Sequence, residues 1–135
     1  MSGQVYIQKA EGGDTPLPLF FYLRTTMTNP TVSVILPFYN AASTLDRAIA
    51  SVDAQEWEDF ECLLVDNNST DGSEEIARKW AAHDPRFRML HESRQGVMFA
   101  SNTGATAATG RFMARMDADD VALAGRLRRQ VHFLE

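Results

Sequence analysis

The chain has 135 residues, a formal net charge of -5, 44% hydrophobic residues and 23% charged ones. That length makes one domain able to bury roughly two-thirds of its unfolded surface, and the composition is that of an ordinary globular protein. The acidic balance excludes a general attraction to nucleic acid, which the small patch Arg126, Arg128 and Arg129 does not reverse. No run reaches the ~18 apolar residues of a membrane span, and the amino terminus lacks a basic region followed by an apolar core.

Residues 1–29 read differently from the rest. Gln4 to Gln8 alternates weakly like a strand, Gly12 to Pro16 is turn material, and Leu19 to Leu23 is an apolar clump without helical spacing. This stretch is expected to be a leader or extension of unknown role, with the domain over residues 30–135. From Thr31 the pattern becomes regular. Val32 to Leu36 is a β-branched strand stopped by Pro37, and Ser43 or Thr44 is placed to cap a helix striped by Leu45, Ala48, Ile49 and Val52. Phe60 to Val65 forms a second strand, whose Cys62 cannot form an internal disulfide and reads as a small core residue in a reducing compartment. Ser73 opens a helix carrying Ile76, Ala77, Trp80 and Ala81, ended by Asp84-Pro85. Phe87 to Leu90 is a third strand. A helix from about Val97 to Ala108 follows, with a small-residue face of Ala100, Gly104 and Ala107. Gly110 stops it, Phe112 to Met116 is the fourth strand, and Leu123, Leu127, Val131 and Leu134 stripe a last helix. Strand and helix alternate, so the fold class is α/β with a mainly parallel sheet and helices on both faces.

The polar clusters all follow strands: Pro37-Phe38-Tyr39-Asn40, Asp66 to Gly72, Glu92 to Gly96, and Asp117-Ala118-Asp119-Asp120. In a parallel α/β sheet these loops share the carboxyl edge, where ligands bind. Turn chemistry explains any one of them, but four together favour a site. Three carboxylates within four residues repel one another and call for a cation or a ring of donors, a hard divalent ion being the natural choice; an acidic first helical turn is the other reading. There is no Gly-x-Gly-x-x-Gly after a strand and no Gly-x-x-x-x-Gly-Lys-Ser/Thr. Asp66-x-Asn68-x-Thr70 begins like a calcium loop, but position six is Asp71 and position twelve is Ala77, which excludes it. His83, His91 and His132 lack metal-ligand spacing.

Val32 to Asn40, Leu64 to Ser73 and Asp117 to Asp120, taken in order, closely resemble family 2 glycosyltransferases of the GT-A fold, over about Thr31 to Glu135. The resemblance implies a Rossmann-like GT-A half-domain that binds a nucleoside-diphosphate sugar. Pro37, Tyr39 and Asn40 would shape the nucleotide pocket, Asp66 would bond the base, and Asn68, Arg94, Gly96 and Ser101 would line the donor site. Asp117 and Asp119 match the family's Asp-x-Asp element, with Asp119 the direct ligand of Mg2+ or Mn2+, Asp117 nearer the ribose, and Asp120 a supporting or alternative ligand. A diphosphate leaving group develops charge that such an ion stabilises.

Two departures stand out. The family commonly has Ala-Arg-Asn where this chain has Ala100-Ser101-Asn102, leaving Arg94 or Arg115 to supply the cation. The family's acceptor half and catalytic base follow the acidic motif by more than the chain contains, so the base is expected beyond Glu135. The resulting expectation is the donor-binding half of an inverting, metal-assisted glycosyltransferase whose acceptor is a glycan, lipid or other alcohol. The alternative is a non-catalytic nucleotide-binding or oligomerising module. The expected partners include neither nucleic acid nor a membrane-spanning segment of this chain. Uncovered apolar surface favours a homodimer, and the expected location is cytoplasmic, with peripheral attachment at the inner face of a membrane as the variant.

Overall fold

Each apolar run from Val32 onward becomes a strand, and each amphipathic run becomes a helix laid against the strands. The structure, a computed structural model, describes residues 7–9 and 29–135. The turn and apolar clump expected before residue 29 lie outside the described residues, as does most of the weak strand at Gln4 to Gln8. The elements are β1 (Ile7–Lys9), β2 (Val32–Phe38), α1 (Leu45–Asp53), β3 (Phe60–Asp66), α2 (Ser73–His83), β4 (Phe87–His91), α3 (Val97–Ala107), β5 (Phe112–Arg115) and α4 (Arg126–Leu134). The sheet order is β1-β5-β2-β3-β4. β5, β2, β3 and β4 are parallel, and β1 joins the β5 edge antiparallel.

Register sorts the side chains onto two faces, because successive residues of a strand point to opposite sides. Val32, Val34, Leu36 and Phe38 pair with Phe60, Cys62, Leu64 and Asp66 of β3. This face carries the core, which Leu45, Ala48, Ile49 and Val52 of α1, Ala77 of α2, and Leu127 and Val131 of α4 complete. Burying side chains of the Leu or Ile class contributes roughly 1.5–3 kcal/mol each, so the expected α1 stripe is what holds that helix down. Cys62 lies within this core, where burial, with Glu61 beside it, raises the thiol pKa and leaves it inert. The opposite face is covered by α3. There a Cβ on Gly104 would come within 2.6 Å of Ile35 Cγ2 and 3.3 Å of Val65 Cγ2, so the small-residue face does allow backbone to approach sheet.

At the amino edge Glu61 is a buried carboxylate with its donors supplied. Ser33 Oγ (2.6 Å), Thr109 N (2.7 Å) and Thr109 Oγ1 (2.9 Å) donate to Oε1, and Arg88 Nη1 lies 3.0 Å from Oε2. Gly110 N in turn donates to Ser33 Oγ at 2.7 Å. A buried charge is tolerated only when so paired, and this group ties the α3–β5 connection to β2 and β3.

Four local expectations are corrected. Pro37 does not stop β2, which runs on to Phe38. Ile35 O accepts from Met116 N, so the missing N–H of Pro37 falls on the β5 side, where β5 has already ended. Neither Ser43 nor Thr44 caps α1 through its side chain; the N–H groups of Ala41 and Ala42 just before it donate instead to Ser73 Oγ and Asp71 Oδ2. Leu123 lies outside α4 and is 71% exposed, while β5 stops at Arg115 rather than Met116.

Gly104→Ala is expected to destabilise the fold by about 1–3 kcal/mol, since the branched Ile35 methyl cannot swing away from the new Cβ. Chemical denaturation of the two proteins measures it.

Candidate nucleotide-sugar site at the carboxyl edge

Because the four long strands are parallel, their carboxyl ends bring together the loops 39–44, 67–72, 92–96 and 116–125. Side chains stitch the first two loops to each other. Asn40 N donates to Ser69 Oγ (3.0 Å) and Thr70 N donates to Asn40 Oδ1 (2.7 Å). Ala41 N donates to Ser73 Oγ (2.8 Å) and Ala42 N to Asp71 Oδ2 (3.0 Å). The Ser73 hydroxyl and the Ala42 N–H hold the Asp71 carboxyl below its usual pKa range, and Asp71 thereby serves the amino ends of α1 and α2 together. Asn40 and Asn68 adopt positive φ of 45° and 68°, which Asn tolerates better than most residues. Tyr39, freed by this stitching, is 53% exposed on the edge.

The β4–α3 loop is held by Asn67, which is buried. Its Nδ2 donates to Glu92 O (2.9 Å) and Arg94 O (2.8 Å), and its Oδ1 accepts from Gly96 N (2.8 Å). Gly96 has φ of 141°, a conformation that favours glycine, and it starts α3. Asn68 Nδ2 donates to Ser93 O (2.9 Å). Glu92 Oε1 accepts from Arg94 N (2.9 Å) and Arg94 Nε (2.7 Å), and Glu92 Oε2 accepts from Thr103 Oγ1 (2.5 Å). The Arg94 guanidinium and the Thr103 hydroxyl hold the Glu92 pKa down to about 2. Arg94 also lies 4.7 Å over the Phe99 ring.

The fourth loop carries the acidic turn, closed by Asp120 N donating to Asp117 O at 3.1 Å. Asp117, Asp119 and Asp120 each offer a carboxylate oxygen within 4.8 Å of the others. A hard ion bound at about 2.0–2.6 Å from each ligand separates its oxygens by roughly 3–5 Å, so this donor set fits Mg2+ or Mn2+. Arg115 Nη2 lies 3.6 Å from Asp117 Oδ1. Arg115 Nε and Ser101 Oγ are buried atoms without a hydrogen-bond partner among the described residues.

The expected site residues therefore divide. Tyr39, Asn40, Asn68, Gly96 and the three aspartates lie in the edge loops, and Pro37 lies in β2 next to them. Asp66 is buried on the α1–α2 face, where Oδ1 accepts from Ser69 N (3.0 Å) and Oδ2 stands 3.6 Å from His91 Nδ1. Arg94 is engaged by Glu92, and Ser101 sits in the first turns of α3. Sequence reasoning missed Asn67, Glu92 and Gln55. For Asn67 and Glu92 the signal was a polar residue immediately after a strand, a position that needs buried partners, whereas Gln55, two residues past a helix, carried none.

Residues 33–135 match the model of glycosyl transferase family 2, and the chain belongs to that family. The chain is 40% identical over 89 residues to the uncharacterized glycosyltransferase YibD of Escherichia coli, covering 66% of this chain and 26% of the relative. It is 38% identical over 97 residues to glycosyltransferase AglE of Haloferax volcanii, covering 70% and 32%. Thus it spans about a quarter to a third of these relatives. Among solved structures, residues 1–349 of Staphylococcus aureus TarS superpose with a TM-score of 0.71 at 25% identity, covering 77% of this chain and 32% of that one. The mannosyltransferase PcManGT of Pyrobaculum calidifontis, in complex with GDP-Man and Mn2+, gives a TM-score of 0.65 at 29% identity, covering 80% and 36%. The α/β Rossmann-like arrangement is that of the GT-A fold. No described helix is long and apolar enough to cross a membrane.

Because the folded-state pKa of Glu92 lies below its ordinary 4.5, its ionised form contributes stability that is complete above pH 4.5 and lost as pH falls toward 2. Glu92→Gln removes that contribution. The difference in urea midpoint between the two proteins is expected to be largest above pH 4.5 and to close near pH 2.

Proposed function

We propose that the chain supplies the donor-binding half of an inverting glycosyltransferase that uses a nucleoside-diphosphate sugar with divalent-metal assistance. The observation that carries this reading is the convergence of three carboxylates, within 4.8 Å, on the same sheet edge as the stitched loops after β2 and β3. PcManGT, with GDP-Man and Mn2+, supports a nucleotide sugar and a divalent ion as the ligand class.

In this reading Asp119 is the direct ligand of Mg2+ or Mn2+, with Asp117 shared between the ion and the ribose and Asp120 supporting or replacing them. When bound, the ion neutralises charge that develops on the diphosphate as the sugar leaves. Tyr39, exposed beside Pro37 and Asn40, offers a ring face to the base. Asp66 and Asn68 keep the β3–α2 loop in shape for it, Gly96 at the start of α3 lies where an anion is favoured, and Ser101 lines the donor site one turn further on. The acceptor is an alcohol whose proton goes to a base outside this half. Residues 1–29 are a leader or extension of unknown role, of which Ile7–Lys9 pairs along the β5 edge. The chain works as a homodimer in the cytoplasm, peripherally at the inner face of a membrane where its acceptor is a lipid.

Calorimetry with UDP, GDP and their sugars, each with and without Mn2+, tests the assignment. Asp119→Ala should weaken metal-dependent binding at least tenfold, which corresponds to about 1.4 kcal/mol. Affinity that is independent of metal and unchanged by the substitution would sink it. In the same assay Ser101→Arg should tighten binding, because a charge-assisted contact is about twice as strong as a neutral one.

A further inference from the structure

A cluster of carboxylates binds an ion well only if the turn that bears it is held still, and residues 116–125 cross from β5 to α4 as irregular chain. At the strand end Met116 N donates to Ile35 O (2.9 Å). At the other end the contacts come from Ser51 in α1 and from Gln55, two residues past its end. Ser51 Oγ accepts from Ala122 N (2.9 Å), Gln55 Nε2 donates to Leu123 O (3.0 Å), and Gln55 Oε1 accepts from Leu127 N (3.1 Å), an otherwise open donor in the first turn of α4.

Both side chains are fixed by further bonds to the backbone of α1. Ser51 Oγ donates its proton to Ala48 O (2.7 Å), which leaves a lone pair for Ala122. Gln55 Nε2 spends its second proton on Ser51 O (3.1 Å). Both protons of the Gln55 amide, 5% exposed, are therefore spent and its oxygen is engaged, which fixes one orientation. Core packing of Ala118 and Ala122 adds burial but little direction. The hydrogen bonds from Ser51 and Gln55 supply the direction.

We infer that Ser51 and Gln55 are positioning residues for the acidic turn, setting where Asp119 and Asp120 stand by clamping the chain at Ala122, Leu123 and Leu127. The inference rests on the metal-assisted reading above, but it is tested first on the metal alone. Removing the clamp frees the turn, and the ion must then order it on binding. Groups that orient metal ligands typically cost 10–100-fold in metal affinity when removed.

The experiment measures Mn2+ binding to the folded protein by electron paramagnetic resonance, without nucleotide, well below each variant's thermal transition. Ser51→Ala and Gln55→Ala should each weaken Mn2+ about tenfold or more, Ser51→Thr should restore it by keeping the hydroxyl, and neither loss should add fully to that of Asp119→Ala. Ser51→Ala keeps the test decisive if Gln55→Ala fails to fold. Lowered thermal stability with unchanged Mn2+ affinity would overturn the inference, the clamp then being structural only. Wild-type protein that binds Mn2+ through the clamped turn but no UDP, GDP or their sugars would sink the donor assignment and uphold the clamp. Wild-type protein that binds no Mn2+ would overturn both.

Discussion

Everything at the carboxyl edge depends on β2 being paired on both sides and buried on both faces. Val32 is held between Phe60 and Phe112, and the register continues in parallel from there on both flanks. That one constraint points four strands the same way and so brings four loops to one edge. It also explains why Pro37 is acceptable in a central strand. The β5 pairing runs only to Ile35 and Arg115, so the proline sits past the last bond it would have had to donate, with β3 still beside it. The glutamate at the opposite edge, Glu61, fixes the return from α3 into β5 and thereby the point from which the acidic motif is launched.

Much of this was legible in the sequence, because period and punctuation are local signals. The stripes Leu45, Ala48, Ile49, Val52 and Leu127, Val131 are buried as their spacing implies. What was not legible is where each helix finds its terminal hydrogen bonds. None of the four N-cap residues caps through its own side chain. Instead Asp71 and Ser73 serve α1, Asn67 serves the Gly96 N–H at the start of α3, and Gln55 serves α4. Those partners are separated by about thirty to seventy residues, and a rule that looks three residues ahead cannot find them. Leu123 was misplaced for the same reason: its spacing fits the stripe, but Gly125 adopts positive φ and begins α4 after it.

The site was legible in its loops more than in its individual atoms. Asp66 and Asn67 are adjacent, and adjacency at a strand end means opposite faces. Asp66 turns to the α1–α2 side and closes its own loop onto Ser69, whereas Asn67 turns to the α3 side and organises Glu92, Arg94 and Gly96. A motif read as a string gives Asp66 to the ligand and passes over Asn67; the pleat gives the two different neighbours. The consequence is a rim whose polar atoms are already largely spent on one another, with Tyr39 and Asp119 exposed and Asp117 and Asp120 half-buried beside them.

The same accounting separates the two arginines that the sequence offered in place of the absent one at Ser101. Arg94 makes its charge-assisted contacts to Glu92 through Nε and through its own backbone N–H, and its guanidinium rests on Phe99. Drawing it to a phosphate would break bonds that already hold the Glu92 pKa down, so a ligand gains only the difference between two charge-assisted pairs. Arg115 starts from a weaker position. Its ion pair with Asp117 is long at 3.6 Å, and its buried Nε has no acceptor among the described residues. A buried donor left unsatisfied costs about 1–3 kcal/mol, and a ligand oxygen that met it would recover that cost. Any ion held by Asp117 would also loosen the hold of that carboxylate on Arg115, freeing the cation for the anionic ligand that the proposed function puts at this edge.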